Sequence, residues 1–148
     1  GGKVLIFGNG GSASDSQHFA AELVVRFEKE RNSLPCIALT TDTSILTAAS
    51  NDYGYDRVFS RQIEGLAGPE DVIIAISTSG NSPNVLEAVR VAREKDLPVI
   101  SLTARDGGRL AGMSDVSINV NTDITARAQE VHSTALHIIC KLIEDDLS

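Results

Sequence analysis

His18 and Glu22 stand four residues apart, so on a helix they share one face. An imidazole beside a carboxylate can share a metal ion or act as general acid and base. Just before this pair runs Gly8-Asn9-Gly10-Gly11-Ser12, a sharp break after the apolar run Val4 to Phe7. Glycines let the backbone approach a ligand closely, and the first turn of a following helix offers unpaired N–H groups and a positive dipole end. An anion is the expected guest. A second stretch, Ser77-Thr78-Ser79-Gly80-Asn81-Ser82, places four hydroxyls within six residues at another helix start, more than capping needs, with no Lys or Arg. A phosphomonoester held by neutral donors and a helix dipole fits both stretches.

Plainer readings weigh against each feature. An isolated glycine loop is often only a tight turn, and a lone His–Glu pair at i, i+4 is often an ordinary surface pair. Position favours chemistry here, because His18 and Glu22 lie on the helix that the glycine loop opens. Gly8, Gly10 and Ala13 also satisfy G-x-G-x-x-A, but a dinucleotide site needs an acidic residue at the end of the second strand, and Asp42 comes too late. The last helix carries Gln129, His132 and His137. Its expected apolar stripe is Val131, Ala135, Ile138, Ile139 and Leu142, with His132 beside it and Gln129 and His137 on one flank. His132 therefore reads as a packed or hydrogen-bonded core residue, and His137 as the better functional candidate. Gln129 and His137 are separated by about 12 Å of helical rise, so they reach one centre only with extended side chains or from different subunits.

The elements that must position these residues alternate. Short apolar strands are expected at Val4–Phe7, Pro35–Leu39, Val72–Ile76, Val99–Leu102 and Val116–Val120. Helices are expected at Ser14–Glu30, after Asp42 or Thr43, through Val58, Ile63 and Leu66 to about Gly68, at Pro83–Lys95, and at Asp123–Asp146. Asn51 to Asp56 reads as a loop and Asp106-Gly107-Gly108 as a turn. Uniformly apolar strands alternating with helices specify an α/β domain, a doubly wound five-stranded parallel sheet with helices on both faces. Ligands of such sheets bind beyond the carboxyl ends of the strands, so both polar loops should face one crevice.

Composition narrows the partners. A net charge of −7 with 13 scattered basic residues argues against a nucleic-acid surface, which demands clustered Lys and Arg. No apolar run approaches the roughly 20 residues that cross a bilayer, so no membrane partner is expected. Cys36 and Cys140, both in apolar runs, read as buried thiols of a reducing compartment, with the cytoplasm the simplest address. The 148 residues suit a single domain. The first residue is not Met and the first strand opens at once, from which a preceding N-terminal segment is expected.

Several long motifs in order now resemble one family. FGNGGSASDSQHFAAEL, LPCIALTTDTSILTAASNDYGYDRVFSRQ, ISTSGNSPNVLEA and LTARDGGRLAG followed by ARAQEVH are similar to the sugar isomerase (SIS) domain family, flavodoxin-like in fold, and within it to the phosphoheptose isomerases. The resemblance covers nearly the whole chain. It implies a cytoplasmic homotetramer with interfacial active sites that converts sedoheptulose 7-phosphate to D-glycero-D-manno-heptose 7-phosphate for bacterial lipopolysaccharide heptose. It implies that Ser77, Thr78, Ser79 and Ser82 hold the phosphate, with Asn9, Gly10, Gly11 and Ser12 as the other wall, and that Asn51, Asp52 and Gln129 touch the sugar. It implies one Zn2+ per site on His18, Glu22, Gln129 and His137, with Glu22 and His137 as base and acid. Two departures stand out: this sequence opens at the first strand, ahead of which the family usually carries an N-terminal helical segment, and Ala128 stands where isoleucine is more usual. Related DnaA initiator-associating adaptors lack the glutamate and the histidine found in this chain as Glu22 and His137. A sugar-phosphate-sensing module would need only the two loops. The isomerase reading accounts for both features.

Overall fold

In the computed structural model, which describes residues 1–147, the strands β1 (Val4–Gly8), β2 (Cys36–Ala38), β3 (Val72–Ser77), β4 (Val99–Ala104) and β5 (Val116–Val120) form one sheet. All pairs are parallel and the spatial order is β2-β1-β3-β4-β5. The helices are α1 (Gly11–Val24), α2 (Thr43–Tyr53), α3 (Ser60–Leu66), α4 (Pro83–Glu94), α5 (Gly108–Met113) and α6 (Thr125–Asp146), with a 3-10 turn at Tyr55–Arg57. Both faces of the sheet are covered, which is why the central strands carry apolar residues at successive positions. Ile6, Ile74, Ile76 and Leu102 pack against Phe19 of α1 and Leu136 and Cys140 of α6. Leu5, Phe7, Ile73 and Val99 pack on the other face against Ile63, Val85, Val89 and Leu110, and the Phe7 ring stacks on Phe59 at 5.1 Å. The doubly wound expectation holds.

Four local expectations are corrected. The first helix starts at Gly11 and stops at Val24, short of Glu30, because a tertiary contact takes over its carboxyl end. Glu144 of α6, 1% exposed, accepts the backbone N–H groups of Phe27, Glu28 and Lys29 and the Arg31 Nε at 2.9–3.0 Å. Arg31 in turn donates to the carbonyls of Glu22 and Leu23, two acceptors that the helix end leaves open. The second correction concerns Asn51 to Asp56: α2 continues through Tyr53 and ends at Gly54, whose φ of 94° breaks the helix. The third is α5, which replaces the simple turn expected at Asp106–Gly108 and buries Leu110 completely.

The fourth correction rotates the buried face of α6. Ala128, His132, Leu136, Cys140 and Glu144, spaced by four, face the core. Val131, Ile138 and Leu142 of the expected stripe are 45%, 55% and 62% exposed. Sequence periodicity registered two apolar faces as one, since Ala135 and Ile139 lie on the boundary and are partly buried. Cys36 and Cys140 are free and buried, and burial pushes both thiols up to about 12.

Burial opposes ionisation of Glu144, but its backbone N–H donors and Arg31 outweigh it and hold the carboxyl at about 2, below the ordinary 4.5. A depressed folded-state pKa contributes stability that is present above about 4.5 and lost as pH falls toward 2. Glu144→Gln is therefore expected to lower the thermal midpoint at pH 7 and to flatten its decline between pH 4.5 and 2 relative to the parent. Calorimetry across that range checks this.

Candidate active site

The pairing of β1 with β3 runs to Gly8 opposite Ile76, so the chain leaves both strands side by side. This is the switch point of the sheet, since β2 lies outward of β1 while β4 and β5 extend beyond β3. The glycine loop there passes through Gly10, at φ 58°, straight into α1, with Ser12 N–H on the Asn9 carbonyl at 3.0 Å. No acidic side chain occupies the first turn of α1, so its positive end is uncompensated from within. Gly11 is crowded by a neighbour: a Cβ there would lie 2.4 Å from Nε2 at the far end of the Gln129 side chain, which would have to shift.

The serine loop is folded inward upon its own hydroxyls. Ser77 Oγ lies 2.9 Å from Ser82 Oγ and 3.4 Å from Ser79 Oγ. Ser82 occupies the N-cap position of α4 yet makes no side-chain cap bond, so its hydroxyl is turned to Ser77 instead. The main chain is held from behind: Ala104 N–H donates to the Thr78 carbonyl and Leu110 N–H to the Gly80 carbonyl, both at 3.0 Å. Gly80 sits at φ 65° against Gly107 and Gly108. Asn9 and Asn84 join the two loops by a reciprocal pair of amide hydrogen bonds, each 2.9 Å.

Farther along α1 lies the second group. His18 Nε2 and Glu22 Oε1 are 2.8 Å apart, and the His18 and His137 rings meet edge to face at 5.0 Å. One ligand atom from each of His18, Glu22 and His137 lies within 4.8 Å of the others. Two imidazoles and a carboxylate are a donor set suited to a divalent metal with an open coordination position, and the side chains of His18 and Glu22 are 50% and 21% exposed, accessible to a ligand. The residues fit a metal. Phe27, whose N–H is held by Glu144, lies against the His137 ring at 5.3 Å. Helices α1 and α6 run side by side in parallel: Gln129 is level with Gly11, Ser133 donates to Asp15 at 3.1 Å, and His137 is level with His18.

That alignment distributes the residues singled out in the sequence. His18, Glu22 and His137 come together; Gln129 does not join them, and rests on the glycine loop about 10 Å along the helix. Asn9, Gly10, Gly11 and Ser12 follow β1, and Ser77, Thr78, Ser79 and Ser82 lie at and beyond the end of β3, so both sets sit at the adjacent ends of paired strands. Asn51 and Asp52 are exposed on the last turn of α2 and hydrogen-bond to each other. His132 is fully buried; its Nε2–H donates to the Thr103 carbonyl at 2.8 Å, and burial lowers its pKa, so it is a neutral core residue. Asn84, Tyr55 and Phe27 were not apparent from sequence. Only Asn84 left a trace there, as a polar residue in the otherwise apolar first turn of α4.

The fold and its switch-point loops define a class, the SIS-type doubly wound domain, and comparison agrees: the SIS domain family profile matches residues 1–104. Over 149 residues the chain is 54% identical to the phosphoheptose isomerase of Chromohalobacter salexigens, covering 99% of itself and 76% of that protein. With that of Aliarcobacter butzleri it shares 55% over 148 residues, all of this chain and 78% of the relative. The solved structure of phosphoheptose isomerase GmhA from Neisseria gonorrhoeae superposes with a TM-score of 0.91 at 52% identity, over 97% of this chain and 77% of that one. The chain belongs to the SIS domain family and, within it, to the phosphoheptose isomerases. No helix among the described residues is long and apolar enough to cross a membrane.

A Cβ on Gly80 would fall 2.0 Å from the Gly107 carbonyl oxygen, at a backbone angle that L residues rarely adopt. Gly80→Ala is expected to cost about 2–4 kcal/mol in urea unfolding. Gly112→Ala, where a Cβ meets nothing within 4 Å, should cost nothing. Equal midpoints for the two variants would mean that the close approach of Gly80 to Gly107 does not constrain the serine loop.

Proposed function

We propose that this protein is a ketose–aldose isomerase that converts sedoheptulose 7-phosphate to D-glycero-D-manno-heptose 7-phosphate in bacterial heptose biosynthesis. The observation that carries the reading is the cluster of His18, Glu22 and His137 on the same helix pair whose other end borders the glycine loop at the switch point. The relatives named phosphoheptose isomerase, 54–55% identical across essentially this whole chain, supply the reaction.

In this reading the hydroxyls of Ser77, Thr78, Ser79 and Ser82 and the backbone of Asn9, Gly10, Gly11 and Ser12 hold the phosphate. Asn51, Asp52 and the Gln129 amide serve the sugar. From Gly11 to His18 is about 10 Å along α1, a span comparable to an extended heptose between its phosphate and its carbonyl end. Glu22 removes the C1 proton of the ketose, and His137 protonates the sugar oxygen to give the enediol. Return of the proton from Glu22 to C2, with the O1 hydroxyl proton passing to the His137 that the first step left neutral, completes the aldose. The ligand atoms of Glu22 and His137 lie within 4.8 Å of each other, so both reach one pair of adjacent carbons. His18, hydrogen-bonded to Glu22, fixes the carboxylate.

His18, Glu22 and His137 would hold Zn2+, which when bound supplies a Lewis acid for the sugar carbonyl. Gln129, which its own chain keeps beside Gly11, would complete the ligand set from a neighbouring subunit. A homotetramer with interfacial sites accounts for the exposed apolar stripe Val131, Ile138 and Leu142, and the cytoplasm suits its buried free thiols.

Glu22→Gln and His137→Asn are each expected to reduce kcat by about 10²–10⁴-fold while leaving the circular dichroism spectrum intact. NMR-monitored turnover of sedoheptulose 7-phosphate checks this, with chelator-treated and zinc-restored protein in parallel. Wild-type turnover in either variant would remove that residue from the chemistry.

A further inference from the structure

Asn9 and Asn84 exchange both of their amide hydrogen bonds, Nδ2 of each to Oδ1 of the other at 2.9 Å. Asn9 Oδ1 accepts a further bond from the Tyr55 hydroxyl at 3.2 Å. A carboxamide oxygen has two lone pairs, so that of Asn9 is saturated, and only one side-chain N–H of Asn9 remains free. Asn84 is 2% exposed, in the first turn of α4 directly after Pro83, and Tyr55 belongs to the 3-10 turn after α2. Two separate segments thus converge on one glycine-loop side chain.

We propose that Asn84 and Tyr55 are positioning residues that set the spacing between the glycine loop and the serine loop, with the Asn9 carboxamide acting as a strut between them. The inference rests on reading the two loops as the phosphate site. Sheet pairing ends at Gly8 opposite Ile76, so the ladder does not fix the distance between the loops beyond that point. Neither loop contains Lys or Arg. A dianion held by neutral donors and helix ends depends on several hydrogen bonds at correct length at once, because no charged side chain within either loop compensates for a misplaced one. An amide–amide pair supplies the connection without a charge that would repel the phosphate or pair with it.

The test measures the KM for sedoheptulose 7-phosphate and the inhibition constant of inorganic phosphate in the full chain. Asn84→Ala is expected to raise both about tenfold. The near-isosteric Asn84→Asp keeps the acceptor but loses the donor, and should do no better. Asn9→Ala combined with Asn84→Ala should be within about twofold of the worse single variant, since either change breaks the same connection. Zn2+ affinity at His18, Glu22 and His137, read by chelator competition, should stay within about twofold, which a general loss of structure would not allow. Tyr55 is 58% exposed, so Tyr55→Phe keeps the fold and isolates the hydroxyl; a rise of about two- to fivefold is expected. Unchanged constants in Asn84→Ala, unchanged constants in Tyr55→Phe, or single effects that multiply in the double variant would each overturn the proposal. A parent protein binding neither ligand would instead overturn the phosphate reading, and the proposal with it.

Discussion

The parallel pairing of β1 with β3 is the constraint on which the rest depends. Because the chain places β2 outside β1 before returning to build β3, the two central strands end together with no strand between them. Their carboxyl ends release two loops into one crevice, and the helices that follow, α1 and α4, leave it on opposite faces of the sheet. A slip of this register would move every strand residue to the other face and separate the loops. The buried run Leu5 to Phe7 against Ile73 to Ala75 prevents it, since each residue already meets a packed layer.

A second relation follows from the packing of α6 beside α1 in parallel. The N-terminal end of this pair meets the glycine loop through Gln129 and Gly11, and its middle brings His137 to His18 and Glu22. One helix pair therefore borders both an anion-type loop and a metal-type cluster. Buried His132 holds α6 to β4 through the Thr103 carbonyl, and the next residue of β4, Ala104, holds the Thr78 carbonyl. Glu144 secures the other end by gathering the backbone of residues 27–29 and the Arg31 guanidinium, and so places Phe27 against His137. Core and site share the same supports.

The fold alone does not specify chemistry. On this fold α1 and α6 bring His18, Glu22 and His137 together, and the phosphoheptose isomerase relatives align with the chain across both helices.

Sequence by itself determined the elements whose signals are local. Short β-branched runs specify strands, glycines and hydroxyls mark the two loops, and spacing by four puts His18 and Glu22 on one face, because each signal depends on residues close in the chain. That His132 packs in the core was legible for the same reason, since it falls beside an apolar stripe, although the buried face is the neighbouring one and holds His132 itself. Tertiary structure alone decided where α1 ends, since Glu144 lies more than a hundred residues from the N–H groups it captures. It also decided which of two apolar faces of α6 is buried, that Gln129 stands beside Gly11, and that Asn84 reaches Asn9 across 75 positions. Periodicity registers that a face is apolar but not what meets it, and hydrogen bonds between distant segments exist only once the sheet has brought their ends together.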